Sequence, residues 1–351
     1  MLTANSAELL PLLRMLRKVA KHKPVKPILG NLRLSIRGNS LILQATDLDV
    51  HVEAAVRFEG TGLDIRPDVG LTGPRDDSLH LLVNAHELYT LTRKARGSIS
   101  PDLAGDILTV TIPGACNMSG RLDMDKSGDF PTAPDWNAEQ LRPITSLPAT
   151  ALAEAFDRTL FCVAGDEKSY ALAGVYLGYH DGNLELASTD TYRLSVCTFQ
   201  GSLVSRAADN AAFRSGRDLS SGDADKAAPD PLVLCQQGAL LARELANLSS
   251  GDVWISRQQD GGVIFSATNL RLRSSTIDSV FPRFHDVIPA SSQHHLRITD
   301  RKACLAALKR VEQPGIPGMT FTRGEGGKLK LACWSNMVET ASADTASMLA
   351  C

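Results

Sequence analysis

Few residues in this chain of 351 have types and spacings that suit chemistry. Asp47, Asp49 and His51 recur at every second position, which on a β-strand would place two carboxylates and an imidazole on one face. Such a face suits a metal ion, and equally describes a solvated strand edge. His294 and His295 have no carboxylate or cysteine at ligand spacing and fit a surface loop. GEGGKLK at 324–330 has the glycines and lysine of a phosphate loop, but misses the G-x-x-x-x-G-K-[ST] pattern and lies between alternating runs, as a hairpin turn does. No nucleophile elbow or Cys/His signature stands out. The seven cysteines (116, 162, 197, 235, 304, 333 and 351) are scattered without a C-x-x-C pair, which suits reduced thiols in a cytoplasm. The residues point to a protein without catalytic chemistry, metal or cofactor.

Charge carries a different signal. From Ser6, the expected N-cap, Leu9, Leu12, Leu13, Leu16, Val19 and Ala20 recur at helical spacing. The other face and the exit carry Arg14, Arg17, Lys18, Lys21, Lys23 and Lys26, with His22 among them. A solvated amphipathic helix would look like this, and so would a surface that meets phosphates and releases their counterions. The net charge of −2 excludes a protein that is basic all over and leaves a basic strip open. At 43% hydrophobic and 22% charged residues the composition is that of a soluble globular protein. Glu8, Pro11, Arg14 and Arg17 interrupt any signal-peptide core, and no run of about 18 apolar residues follows, so a cytoplasmic location without a membrane partner is expected.

The elements that must position these residues repeat. After the first helix, PILGNLRLSIRGNSLILQATDLDVHVEA (27–54) reads as a hairpin turning at Arg37-Gly38-Asn39. A helix candidate at 148–163 precedes a second hairpin, LAGVYLGYHDGNLELASTDTYRLSV (172–196), turning at Asp181-Gly182-Asn183. A third helix candidate, 299–312, precedes GMTFTRGEGGKLKLACWSN (318–336). LLVNAHELYTLTRKARG (81–97) and LVLCQQGALLARELANLSSG (232–251) each run from an apolar strand into a helix. The period is close to 145 residues. It defines module one at 1–143, module two at 144–290 and a partial module three at 291–351, which by the repeat length would continue further. A polar insert at 205–230 lacks periodicity and is expected to be disordered.

In order and spacing, KPILGNLRL, ATDLD, DFPTAPDW, STDTYRLSV and FPRFHDVIP make the chain resemble the bacterial DNA polymerase III beta sliding clamp family over essentially its whole length. The resemblance implies an α+β DNA-clamp fold of repeated modules, each with two helices packed on antiparallel β-sheets. It implies a head-to-tail homodimeric ring around double-stranded DNA, bound without regard to sequence. Such a ring is a non-catalytic processivity factor without a cofactor. Its partners would be the polymerase III alpha subunit, the clamp loader and other replication and repair proteins, all bound through short peptides. The DNA-facing residues implied are Arg14, Arg17, Lys18, Lys23, Arg158, Lys168, Lys302, Lys309 and Arg310. The implied peptide cleft comprises Leu172, Thr189, Thr191, Tyr192, Arg193 and Leu194, with Pro282 and Val287.

Departures from the family pattern bear on both surfaces. Thr191-Tyr192 stands where the family usually has Gly-His, giving a bulkier cleft, and Asp286 stands where a basic residue is common. At the ring interface the matching positions are Arg310, Val311, Gly120 and Leu122, of which Gly120 replaces an aromatic and Arg310 an apolar residue. A charge left unpaired at an apolar contact costs a few kcal/mol. The alternative expectation is a shortened clamp-like protein that binds clamp-interacting peptides without closing a ring.

Overall fold

The computed structural model describes residues 3–37, 40–59, 81–104, 107–112, 118–123, 129–134, 136, 141–165, 170–199, 230–291, 296–298, 300–312, 319–323, 329–335, 338–345 and 348–350. Lys168, the pair His294-His295 and nearly all of the polar insert fall outside the described residues. Two compact units divide the chain, Met1–Pro282 and Arg283–Cys351.

The first unit contains the same run of elements twice. The first run is β1 (Thr3–Asn5), α1 (Ser6–Val19), β2 (Asn31–Arg37), β3 (Ser40–Thr46), β4 (Val50–Glu59), β5 (Leu81–Asn84), α2 (Ala85–Thr92), β6 (Ser98–Ala104), β7 (Ile107–Ile112) and β8 (Met118–Asp123). The second is β9 (Arg142–Pro148), α3 (Ala149–Thr159), β10 (Gly174–His180), β11 (Asn183–Thr189), β12 (Leu194–Phe199), β13 (Leu232–Cys235), α4 (Gln236–Leu248), β14 (Asp252–Arg257), β15 (Val263–Ser266) and β16 (Leu270–Ser274). Pairing repeats too. In the first run β2 lies between β3 and β5, and β3 also pairs with β4; in the second β10 lies between β11 and β13, and β11 also pairs with β12. Likewise β1, β6, β7 and β8 are joined in sequence, as are β9, β14, β15 and β16.

The two runs are fused by backbone. Antiparallel pairing of β4 with β16, in register from Leu270↔Ala54 to Ser274↔Val50, makes one sheet in the order β8-β7-β6-β1-β4-β16-β15-β14-β9. Polar residues of the alternating pattern are buried here as well, among them Gln44 and Glu53, where Gln44 Nε2 donates to Glu53 Oε2 at 2.8 Å.

Helices cover the strands because their apolar stripes demand it. Leu9, Leu12, Leu13, Met15, Leu16 and Val19 of α1 are all buried. Asn5, not Ser6, caps α1: its Oδ1 accepts from the Ala7 N–H at 2.9 Å, while Ser6 is the first helical residue and is buried. Both types serve at this position, so composition alone left a one-residue ambiguity. Phe156 of α3 meets Phe265 of β15 edge-on in the core, with centroids 6.1 Å apart. The contacts join α2 to α1, α1 to α4 and α4 to α3, giving one row of four helices.

The second unit follows the first six elements of the same run: β17 (Leu296–Ile298), α5 (Arg301–Val311), β18 (Met319–Arg323), β19 (Leu329–Ser335), β20 (Val338–Thr345) and β21 (Met348–Ala350). β18, β19 and β20 form a meander, and β21 pairs with β17. Asp300 caps α5 by accepting from the Ala303 N–H, and Cys304, Ala307 and Val311 of the helix are buried. The hairpin expected around GEGGKLK is present as β18 and β19, while 324–328 lie outside the described residues.

Candidate functional site

The strand face proposed for Asp47, Asp49 and His51 does not exist. Asp47 and Asp49 occupy the turn between β3 and β4, and only His51 lies on a strand. Asp47 Oδ1 accepts from the Val50 N–H at 2.9 Å, and its Oδ2 accepts from Gln237 Nε2 at 2.6 Å. His51 is buried and its pKa falls to about 4, chiefly through desolvation and then through Arg273. Thr46 Oγ1 donates to the Val50 carbonyl, so the contact with His51 at 3.0 Å requires Nδ1–H of the imidazole to be the donor. The sequence pattern was a turn motif, with Thr and Asp side chains bonding the backbone that follows them. Among the described residues no three His, Cys, Asp or Glu side chains group as a metal site. Cys162, Cys197, Cys235 and Cys304 are free, and Cys235 caps α4 by accepting from the Gly238 N–H.

That turn motif recurs at the tip between β11 and β12. Leu48 N–H donates to Thr46 Oγ1 at 3.0 Å in the first run, and Thr191 N–H to Thr189 Oγ1 at 3.1 Å in the second. Val50 N–H bonds Asp47 Oδ1, and Arg193 N–H bonds Asp190 Oδ1 at 2.7 Å. Leu48 and Thr191 both have positive φ, +83° and +75°. The framework is thus shared, and what differs is the cargo. Arg193 grips Asp190 Oδ2 through Nε at 2.9 Å and Nη2 at 2.6 Å, and it holds the Asp190 carboxyl below the usual carboxylate range. Its guanidinium carbon is 5.9 Å from the Phe161 centroid.

The tip brings Thr189, Thr191, Tyr192, Arg193 and Leu194 together, with Tyr192 94% exposed and Phe161 59% exposed. Leu172 is buried in the 3₁₀ turn Tyr170–Leu172, whose carbonyl end accepts from the Ala164 N–H. Pro282 is exposed at the end of the first unit; Val287 and Asp286 are exposed in the 3₁₀ turn Phe284–Val287 of the second. Phe161 was not singled out from sequence, because inside FCV it reads as helix core.

The helix row carries the charged surface, and its contacts form a belt. Arg17 of α1 stacks on Tyr89 of α2, with its guanidinium carbon 4.1 Å from the centroid. Lys18 of α1 pairs with Glu244 of α4, Arg243 of α4 with Asp157 of α3 at 3.1 Å, and Arg158 with Glu154 within α3. The cations of the second run are therefore matched by acids on the same helices. Those of the first run are reinforced by Arg93, Lys94 and Arg96, all exposed after α2. The run RKAR at 93–96 was the signal for them, and it went unremarked behind the apolar pattern. Lys23 is exposed in the loop after α1. On α5, Lys302, Lys309 and Arg310 are exposed, while Val311 is 1% exposed inside its own unit and so offers almost no surface to a partner. Leu122 and Gly120 lie on β8, opposite Leu108 and Val110 of β7.

Comparison with known proteins decides the family. The N-terminal domain of the DNA polymerase III beta subunit matches residues 1–116 and its central domain matches 146–212, together over half of the chain. This chain belongs to the DNA polymerase III beta sliding clamp family. A beta sliding clamp of Synechocystis is 27% identical over 330 residues, covering 91% of this chain and 78% of the relative. That of Proteus mirabilis is 30% identical over 177 residues, half of this chain and 43% of the relative. The fold is that of the solved clamp from Pseudomonas aeruginosa bound to griselimycin, with a TM-score of 0.74 and 21% identity over 99% of this chain and 84% of that one. The Thermotoga maritima beta subunit gives the same TM-score at 19% identity, over 99% and 84%. The protein is a DNA sliding clamp of α+β architecture. Among its described residues no helix is long and apolar enough to cross a membrane.

Proposed function

We propose that this clamp is the ring-forming processivity factor of a DNA polymerase III holoenzyme, a non-catalytic cytoplasmic subunit that encircles duplex DNA as a head-to-tail homodimer. The partition into modules at 1–143, 144–290 and 291–351 belongs to this reading and draws support from the repeated element order. The observation that carries it is the helix row. Its charged belt gathers cations along neighbouring helices, which suits a ring that meets phosphates without reading bases. Arg14, Arg17 and Lys23 supply phosphate attraction in the first run, and Lys302, Lys309 and Arg310 supply it on α5. The β11–β12 tip receives short peptides of the polymerase alpha subunit, the clamp loader and other replication and repair proteins. With Arg193 held by Asp190, the tip offers Tyr192 and Phe161 as aromatic anchors rather than a bare cation.

Light scattering at micromolar protein and low salt tests the ring. A mass near twice 37.7 kDa is expected, followed by retention on nicked circular DNA after loading and release on linearisation. A monomer at every concentration overturns ring closure, and leaves a protein that binds clamp-interacting peptides alone.

A further inference from the structure

Tyr89 stands among three guanidinium groups. It projects half-buried from α2 towards α1, where the Arg17 guanidinium carbon lies 4.1 Å from its ring centroid. Arg14 and Arg93 are close enough to act on the same phenol. Arg14, followed by the charges of Arg17 and Arg93, holds the Tyr89 pKa below the usual tyrosine value.

These cations are held differently from the others in the belt. Lys18, Arg158 and Arg243 each meet a carboxylate. Among the described residues Arg14, Arg17 and Arg93 meet none. A carboxylate fixes a guanidinium and cancels its charge. A tyrosine fixes it through the ring face and leaves the charge in place for a ligand. Gathering three like charges around one ring is unfavourable in itself, and an incoming polyanion relieves the repulsion.

We propose that Tyr89 is a positioning residue that holds Arg17 charged and oriented to meet the phosphates of duplex DNA, a role that rests on the helix row being the DNA-facing surface. The test uses the full chain and a short fluorescein-labelled linear duplex, with affinity measured against salt concentration. Arg17→Ala should flatten the slope of log K against log salt by about 0.9, one phosphate contact. Tyr89→Leu, which removes the ring under Arg17, should approach that loss, and Tyr89→Phe, which keeps the ring, should leave the slope near the wild-type value. Adding Tyr89→Leu to Arg17→Ala should change nothing further.

A wild-type slope in Tyr89→Leu, or an equal further weakening in the Arg17→Ala background, overturns the positioning role while leaving the DNA-facing surface intact. An unchanged slope in Arg17→Ala overturns both. Should Tyr89→Leu lose its thermal transition, Tyr89→Met, which keeps apolar bulk without a ring face, decides, and a wild-type slope there overturns the role.

Discussion

Lys18 of α1 is ion-paired with Glu244 of α4, although 226 residues separate them in the chain. The pair ties the helix of the first run to that of the second, beside the strand pairing of β4 with β16. It also neutralises a lysine that the sequence offers to DNA. Lys18 is half-exposed, so its part in stability is small, at most about 1 kcal/mol.

Glu244→Gln should therefore act on DNA rather than on folding. Removing the acid frees Lys18 and takes a negative charge off the belt. Binding of a short duplex at low salt should tighten, with a slope against salt steeper by about 0.9, while the melting temperature moves little. Lys18→Ala alone should leave the slope nearly unchanged; a large loss would show that Lys18 reaches phosphate despite its partner.

His51 should make the first unit acid-sensitive. Its pKa is depressed to about 4 in the fold and rises to the ordinary 6.5 on unfolding, so the unfolded chain takes up the proton first. Stability is full above pH 6.5, declines as pH falls towards 4, and is flat below it. Between pH 7 and pH 5 the loss should be about 2 kcal/mol, read from urea midpoints. His51→Gln should remove this pH dependence, whatever its effect at pH 7.

Thr191 is β-branched and sits at φ +75°, a region that L residues enter at a cost of about 1–2 kcal/mol. Thr191→Gly removes that cost and adds flexibility to the unfolded chain, for a net gain of about 0.5–1 kcal/mol. Leu48→Gly, at the matching turn with φ +83°, should behave the same way. Denaturant titration reads both, and a loss of stability would contradict the strain.

Phe156 is fully buried against Phe265 beneath the helix row. Phe156→Ala should cost about 3–5 kcal/mol through lost transfer energy and the cavity left behind. The midpoint of chemical unfolding should fall without a change in the slope of the transition.

What the sequence by itself determined was local and periodic. The repeat of nearly 145 residues and the hairpin at Asp181-Gly182 were legible because turn chemistry and apolar periodicity depend on neighbours within a few positions, whereas the turn at Thr46-Asp47 read as alternating strand. The helices at 6–19, 149–159 and 301–311 were legible for the same reason. Only the tertiary structure decided which charges remain. Glu244 reaches Lys18 across the helix row, Gln237 reaches Asp47 over 190 residues, and Tyr89 collects arginines from two elements. His51 passed for an exposed ligand until the pairing of β4 with β16 buried it opposite Arg273. Burial and charge pairing are set by what packing brings from elsewhere in the chain, and no window of neighbouring residues contains that partner.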